Sequence, residues 1–354
     1  MPVEVGWAHE TGHPETLDIL LLGPGYGESL IARIPPGVLL VVDCFRSQEG
    51  GSKGRNVVLD FLESRHEPLE ALVLTHPHED HAQGLGDLVQ SRTGCRVGCC
   101  EPLWITPYQL LQKDPDLMRR LAEGACGQSL AAIRTCWGRE PSRRWLLEAG
   151  SVREVGEARL TVLHPTALKL REVREGARKA RPNALSSPIL LEWRELRLLL
   201  GADLASSGWP QVHRASDLRH HHGFKVAHHA SKNAFHLETL RPTARPPWFT
   251  TPWSRAGQEL PNFKDRNGVA RILGVVDALL LTSLPFAVPD SEKRTWGRSE
   301  LLRATAAEDP EIPGARVARE ADVGPEEGWL ALAFEESGCC SDVRFGRRAV
   351  TVRD

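Results

Sequence analysis

The chain has 354 residues, enough to bury a large core as one big domain or as two domains of ordinary size. Apolar residues make up 41% of it and charged residues 25%, the balance of a soluble globular protein. Its formal net charge of −2 provides no overall basic field for nucleic acid or an anionic membrane, so any polyanion site must be a local patch.

Neither a secretory signal nor a membrane span is predicted. The first 16 residues contain three glutamates and no apolar run. The longest apolar stretches, such as residues 38–42 and 278–281, have only the length of a strand. The eight cysteines include two adjacent pairs and no Cys-x-x-Cys motif, which favours a reducing cytoplasm over a disulfide framework or a structural zinc.

Strands and helices alternate along the chain, which predicts an α/β layer architecture. Helices are predicted at residues 55–65 and 85–89. Residues 107–145 have helical spacing of leucines and none of the candidate chemistry, so we interpret them as a helical insertion within a single domain of residues 1–354. Residues 292–325 are predicted to form an exposed, mobile loop. The predicted strands are residues 17–22, 29–34, 38–42, 71–74, 160–163, 189–193, 196–200, 248–251, 278–281, 329–334 and 349–352.

Four residues able to bind a metal follow directly after the strand at residues 71–74. They are His76, His78, Asp80 and His81. Histidines two apart at the end of a strand project to the same side, and a turn would bring the other two beside them. Imidazole nitrogen with a minority of carboxylate oxygen suits zinc, with manganese or iron as alternatives. The alternative interpretation, a solvated histidine-rich loop, is less favoured because downstream motifs also fit a metal site.

This segment resembles the second signature motif of the metallo-β-lactamase-fold hydrolases. Asp43 resembles the aspartate of the family's first motif, and the sequence Leu-Gly-Ala-Asp at residues 200–203 resembles its strand-end Gly-x-Asp motif. The resemblance implies a four-layer αββα sandwich with a helical insertion. It also implies that Asp43 supports the metal loop from behind, and that Asp203 bridges two divalent metal ions.

Further motifs resemble the ComEC-like branch of that family, which includes the hydrolase domain of DNA-uptake proteins and free-standing relatives. The likeness covers most of the chain except the helical insertion and residues 285–325. Free-standing proteins with these motifs resemble effector parts of bacterial multi-protein systems, which implies a protein partner of unspecified kind. The motifs are a glycine loop at residues 22–29, Leu-His-Pro at residues 163–165, Asn183 to Ser186, and Lys-Val-Ala-His-His-Ala-Ser at residues 225–231.

The chain departs from the family pattern at three places. Asn183 or Ser186 stands where the family has a third-motif histidine, and His164 lies upstream. We expect His164 to be either a metal ligand or a strand-end histidine bonded to the backbone. Ala230 replaces a glycine, a change expected only to narrow the loop. Residues 251–254 stand where the family usually has a later histidine, which weakens any inference of the substrate class from the family.

His228 and His229 are adjacent, so in an extended segment they would point in opposite directions and only one would bind the second metal. His229 is favoured as the ligand, and His228 as a proton donor to the leaving group. The alternative is that both are buried histidines that form hydrogen bonds and bind no metal. Asn183 and Ser231 are expected to support the site without binding a metal.

Two other stretches need interpretation. The basic stretch at residues 169–181 includes Arg174, Arg178 and Arg181, whose forked donors suit phosphate oxygens. Interleaved glutamates favour a solvated charged helix face instead. The run of histidines at residues 220–222 lies among polar residues and is predicted to be a solvated loop rather than a metal site.

The predicted chemistry is hydrolysis at a dinuclear site with a bridging hydroxide, because metal ions bring the pKa of bound water close to neutrality. Asp80 would bind one metal and orient the hydroxide, with zinc as the favoured ion and manganese as an alternative. Three functions remain open. ComEC-like motifs favour a phosphodiesterase or nuclease, and the near-neutral charge favours a hydrolase of a small ester, thioester or lactone. The third is a non-catalytic metal-binding partner in a bacterial defence system.

Overall fold

The computed structural model describes residues 5, 7–8, 15–23, 27–46, 54–100, 125–175, 182–236, 241–242, 246–255, 258–261, 269–283, 328–345 and 349–353. Its helices are α1 (Val57–Glu63), α2 (Glu79–Ala82), α3 (Leu85–Ser91), α4 (Ala125–Arg139), α5 (Ala167–Arg174), α6 (Trp209–Ala215) and α7 (Val269–Leu273). Its strands are β1 (Thr16–Leu22), β2 (Ser29–Ile34), β3 (Val38–Val42), β4 (Leu69–Leu74), β5 (Arg96–Cys99), β6 (Arg144–Leu146), β7 (Val152–Val155), β8 (Ala158–Val162), β9 (Ile189–Trp193), β10 (Leu196–Leu200), β11 (Gly223–Lys225), β12 (Trp248–Thr250), β13 (Trp253–Arg255), β14 (Gln258–Leu260), β15 (Ala278–Leu281), β16 (Trp329–Glu335), β17 (Cys340–Phe345) and β18 (Val350–Arg353).

Two mixed sheets of eight strands form the centre of the fold. The first sheet has the order β17-β16-β1-β2-β3-β4-β5-β6, and the second has the order β18-β15-β12-β11-β10-β9-β8-β7. Strands β3 to β6 run parallel in the first sheet, as do β10, β11, β12 and β15 in the second. Parallel strands end at the same edge of a sheet, so polar residues that follow them are brought together there.

The apolar residues explain why the sheets stack and why helices cover them. Both faces of β1, β2 and β3 are buried, which suits their nearly unbroken apolar sequences. One core cluster joins the inner faces of the two sheets, with Leu40 from the first and Leu198 from the second. A second cluster packs α1, α3 and α4 on the outer face of the first sheet. A third packs α6 and α7 on the second. The predicted αββα sandwich is confirmed.

The strand predictions agree closely with the structure, but the predicted helical insertion is partly wrong. Helix α4 ends at Arg139, and Trp145 lies in strand β6. The Trp145 side chain is fully buried in the inner core cluster, a place that a strand of the sheet can reach. Helix α4 itself belongs to the outer layer, where Trp137 Nε1 donates to the carbonyl of Val97 on β5 at 3.0 Å.

The remaining part of that segment, residues 107–124, and the predicted loop at residues 292–325 lie outside the described residues. Among the helices that the structure describes, none is long and apolar enough to cross a membrane.

Candidate metal centre

The candidate ligands come from both sheets and meet where parallel strands end. His76, His78, Asp80 and His81 follow β4, with the last two on the single turn of α2. Asp203 follows β10, and residues 228–230 form a short 3-10 turn after β11. The turn expected after β4 is thus one turn of helix, which brings Asp80 and His81 toward the second sheet.

Six of these residues form two groups, each close enough to hold an ion. The first ligand group is His76, His78 and Asp203, and the second ligand group is Asp80, His81 and His229. In each group the candidate ligand atoms lie within 4.8 Å of one another. Residues from three separate sequence motifs thus lie close together in space.

Asp203 belongs to the first ligand group and also faces the second. Its Oδ2 is 3.5 Å from His76 Nε2, and its Oδ1 is 3.5 Å from His81 Nε2. The backbone N–H of Asp203 donates to Ser186 Oγ at 2.8 Å. A Cβ on Gly201 would stand 2.8 Å from the backbone nitrogen of Ala227, so only glycine allows the two segments to approach. These contacts hold one carboxylate oxygen toward each group.

Asp43 and Thr75 stand behind the histidines from β4, and we call them the first support. Asp43 Oδ2 accepts from His81 Nδ1 at 2.8 Å and from Thr75 Oγ1 at 2.7 Å. Because the Thr75 hydroxyl donates its one hydrogen to Asp43, it accepts from His76 Nδ1 at 3.0 Å. Both histidines therefore direct an Nδ1–H toward the first support, so Nε2 is the nitrogen that would bind a metal.

Glu28, Thr251 and Lys225 stand behind His229, and we call them the second support. His229 Nδ1 lies 3.0 Å from Thr251 Oγ1, which donates to Glu28 Oε2 at 2.6 Å. The other Glu28 oxygen pairs with the Lys225 ammonium. Sequence reasoning assigned no role to these three residues. A lysine inside the buried strand β11 was the available signal, since a buried ammonium requires a partner.

His228 does not join either ligand group. Asn183 Nδ2 lies 3.1 Å from His228 Nε2, and Ser231 Oγ lies 3.1 Å from His228 Nδ1. Both His228 and His229 have φ of 49°, so the extended segment assumed from the sequence is in fact a left-handed turn. Ala230 has φ of 54°, so its replacement of glycine also places a Cβ in a disfavoured backbone region. Burial lowers the pKa of His228, which would have to take up a proton before donating one.

Other predicted residues are placed differently. His164 is in neither ligand group among the described residues, and its Nδ1 donates to the carbonyl of Ser186 at 2.9 Å. Of the basic stretch, Arg178 and Arg181 lie outside the described residues, as does the side chain of Arg174. The arginine prediction therefore has no described geometry.

The prediction of a solvated loop for the histidines at residues 220–222 is wrong in part. His221 is buried, donates from Nδ1 to the carbonyl of Leu218, and accepts from Trp248 Nε1 at 3.1 Å. The histidine packs against the aromatic side chains of the second sheet, a tertiary contact that the local polar sequence did not indicate.

Unpartnered buried atoms indicate that metal ions fit the centre. His81 Nε2, His229 Nε2 and Asp203 Oδ1 are buried without a hydrogen-bond partner. Each such atom costs about 1–3 kcal/mol in a folded protein, so three at one point indicate a ligand that satisfies them. Imidazole nitrogen and carboxylate oxygen are both ligand atoms that zinc and related ions bind.

The charge of the centre also fits two ions. Among the described residues here, Glu28, Asp43, Asp80 and Asp203 are carboxylates and Lys225 is an ammonium, all at most 8% exposed. With neutral histidines they leave three negative charges in a buried site, which is costly without cations. Two divalent ions with one anionic ligand would cancel that charge, whereas one divalent ion alone would not.

The carboxylates shape the protonation of the metal-free site. Burial alone lowers the pKa of His81, but Asp203, Asp80 and Asp43 outweigh it and raise the pKa to about 10. Burial raises the pKa of Asp203, but the charges of His81, His229 and His76 bring it well below its usual range. Burial followed by the charge of His76 lowers the pKa of His78 to about 3, and Asp80 and Asp203 offset this only in part.

The sequence profile of the metallo-beta-lactamase superfamily matches residues 22–208, which is more than half of the chain. The chain belongs to this superfamily. Proteins of the superfamily typically bind divalent metal ions, often two, and the His/Asp cluster is where this chain would hold them. The chain therefore combines the fold of the superfamily with a candidate centre for divalent metal ions. No curated protein is significantly similar to the chain in sequence.

Solved structures similar to the chain match only parts of it. A mutant of the CmlA beta-hydroxylase has 16% sequence identity and a TM-score of 0.35, covering 61% of this chain and 36% of that one. The hydrolase AbOPH of the beta lactamase superfamily has 13% identity and a TM-score of 0.36, covering 57% of this chain and 76% of that one. CmlA from Streptomyces venezuelae, a diiron beta-hydroxylase, has 17% identity and a TM-score of 0.29, covering 51% of this chain and 28% of that one. The chain thus spans about a third of the first of these structures.

Proposed function

We propose that the protein is a phosphodiesterase, with nucleic acid as the favoured substrate class, acting through two divalent metal ions. The observation that carries the proposal is the placement of Asp203, whose two carboxylate oxygens face different ligand groups. A carboxylate shared in this way suits a two-metal site, which stabilises both the attacking and the leaving oxygen of a phosphoryl group. The ComEC-like motifs support the same substrate class.

The chain's own residues would hold the ions and the substrate. His76 and His78 would bind one ion, Asp80, His81 and His229 the other, and Asp203 both. When bound, the ions supply a water of lowered pKa and neutralise charge that develops on the phosphoryl oxygens. Zinc suits these ligands best, with manganese as an alternative.

Asp80 and His228 would serve the proton transfers. Asp80 Oδ2 lies 3.3 Å from His229 Nε2, so within the second ligand group the carboxylate could also orient a water. His228 would take up a proton and then donate it to the leaving oxygen, and Asn183 and Ser231, which contact its two ring nitrogens, would orient the ring.

Trp253 supplies a surface for the substrate. Its half-buried indole lies nearly parallel to the His229 ring, with centroids 6.5 Å apart and an interplanar angle of 25°. An aromatic side chain beside the metal positions can stack with a nucleobase, which contributes about 1–3 kcal/mol per base. This contact favours a nucleotide over a compact aliphatic ester.

The experiment is a cleavage assay with zinc- or manganese-loaded protein on single- and double-stranded DNA and RNA, a small aryl phosphodiester, a thioester and a lactone. Cleavage of nucleic acid that disappears in Asp203→Asn supports the proposal. Turnover of the thioester or lactone alone would transfer the function to the small-substrate class, which the net charge of −2 favours. Bound metal without turnover of any substrate would indicate a metal-binding partner protein.

A further inference from the structure

The second support joins two parts of the chain that are far apart in the sequence. Glu28 lies directly before β2 in the first sheet, and Thr251 lies directly after β12 in the second. Their hydrogen bond spans 223 positions of the sequence. Glu28, Thr251 and His229 are all buried, so this bond operates without competition from water.

The direction of each hydrogen bond follows from the atoms present. A carboxylate at Glu28 only accepts, so the Thr251 hydroxyl donates to it. With its hydrogen committed, the hydroxyl accepts from His229 Nδ1, and the Thr251 carbonyl at 3.2 Å accepts from the same N–H. His229 therefore carries a proton on Nδ1, and Nε2, which lies 3.3 Å from Asp80 Oδ2, is the nitrogen that would bind a metal.

The same chemical arrangement occurs in the first support. There His76 Nδ1 donates to Thr75, whose hydroxyl donates to Asp43. Two histidines of the centre are thus each linked to a buried carboxylate through a threonine that directly follows a strand. Such repetition at two unrelated points of the chain indicates a shared purpose, the orientation of an Nε2 ligand atom.

Lys225 connects the second support to the bridging aspartate. Its ammonium pairs with Glu28 and also donates to the carbonyl of Ala202 at 3.3 Å. Ala202 precedes Asp203 and has φ of 47°, a backbone region that needs support from its surroundings. The backbone N–H of Glu28 donates to the carbonyl of Asp80 at 2.8 Å. The second support therefore contacts three segments that carry ligands of the centre.

We propose that Glu28, Thr251 and Lys225 are positioning residues that orient His229 and set the affinity of the second ligand group for its ion. The proposal rests on the proposed function in one respect, the assignment of His229 as a ligand. Thr251 transmits the negative charge of Glu28 to the imidazole, which strengthens Nε2 as a donor. Removal of such an outer partner lowers metal affinity by about 10–100-fold.

The test measures zinc binding to the full-length protein by calorimetry and by metal content after gel filtration. Thr251→Val removes the hydroxyl and keeps the shape of the side chain. It should lower the affinity for one of the two ions by about 10–100-fold, while the affinity for the other changes by less than about threefold. Thr251→Ser should restore binding. Thr250→Val is the matched control, because Thr250 is equally buried on the adjacent position but donates to the carbonyl of Val226. It should bind both ions like the unmodified protein.

A second variant pair tests the charge. The double variant Glu28→Gln with Lys225→Met removes both members of the ion pair, so no buried charge is left alone. Adding Thr251→Val to this double variant should weaken zinc binding by no more than about threefold further, because both changes interrupt the same path from Glu28 to His229. Full additivity of the two effects would overturn the relay.

The failure of the proposal and of the proposed function give different results. If His229→Ala loses one ion while Thr251→Val binds both as tightly as Thr250→Val does, His229 is a ligand and the positioning role is wrong. If His229→Ala keeps both ions, the ligand assignment itself is wrong, and the proposed function loses its second metal position.

Discussion

Two carboxylate–threonine pairs stand behind the ligand histidines, and they differ in what they join. The first support connects Asp43 and Thr75 at the ends of β3 and β4, which are parallel neighbours in one sheet. The second support connects Glu28 and Thr251 across the two sheets. One pair thus depends on pairing within a sheet, and the other depends on how the two sheets stack.

The two supports also differ in reach and in charge. Asp43 bonds His81 directly and His76 through Thr75, so it serves both ligand groups. The Glu28 side chain is linked through Thr251 to one ligand histidine, His229, and the Lys225 ammonium pairs with it. The first support should therefore have the larger effect on the metals, and the second should act on one ion only. This difference can be tested on the metals themselves, beginning with Asp203, which contacts a histidine of each group.

Asp203→Asn should have the largest effect. An amide cannot share two anionic oxygens between the groups, so both ions should be lost or weakened and hydrolysis should fall by about a thousandfold or more, equivalent to about 4 kcal/mol. Metal content and turnover are measured on the same sample. An Asp203→Asn protein with two tightly bound ions would show that the carboxylate does not connect the groups.

Metal binding should strengthen steeply with pH. Because the pKa of His81 is raised to about 10, the metal-free protein holds a proton there that an ion must displace. Affinity of the second ligand group should therefore rise by about tenfold per pH unit between 7 and 9. Calorimetry in buffers of different ionisation enthalpy should detect about one proton released with this ion. Binding that is independent of pH in this range would contradict the role of His81.

The same shift makes the metal-free protein less stable in alkali. A histidine whose pKa rises on folding from 6.5 to about 10 contributes stability that is complete below pH 6.5. The contribution decreases as pH rises and is lost through pH 10. Thermal unfolding after chelation should show this decline, and a His81→Gln variant should not.

Asp43→Asn should weaken both ions by about 10–100-fold. The amide retains an oxygen for one hydrogen bond, but it cannot accept from His81 and Thr75 with a full negative charge. The comparison with Thr251→Val is decisive, because the latter should weaken one ion only. Equal, single-ion effects of the two variants would show that the supports do not differ in reach.

Thr75→Val should have the smallest effect, about tenfold on the ion of the first ligand group. His76 loses its hydrogen-bond acceptor, whereas His81 keeps its direct bond to Asp43. The ion of the second ligand group should change by less than about threefold. Titration with zinc, followed by mass spectrometry of the intact protein, separates the two ions. A larger loss from the second group would mean that Thr75 acts mainly by holding Asp43.

Much of this protein follows from local sequence. Apolar runs bounded by turn residues predicted most strands of both sheets, including β3, β9 and β10 at their observed limits. Apolar side chains must leave water whatever their neighbours are, so the length and spacing of such runs are sufficient. The cluster from His76 to His81 was equally visible, since four candidate ligands within six residues converge through the geometry of one strand end and one turn.

Only the tertiary structure decided how distant polar residues pair. Nothing near Glu28 or Thr251 indicates the other, and the buried His221 was predicted to be solvated because its neighbours are polar. A hydrogen bond requires two atoms within about 3 Å in a defined direction, and sheet stacking sets that distance between residues far apart in the chain. Hydrophobic patterning therefore determined the layers, while the supports of the metal centre depend on the alignment of the two sheets.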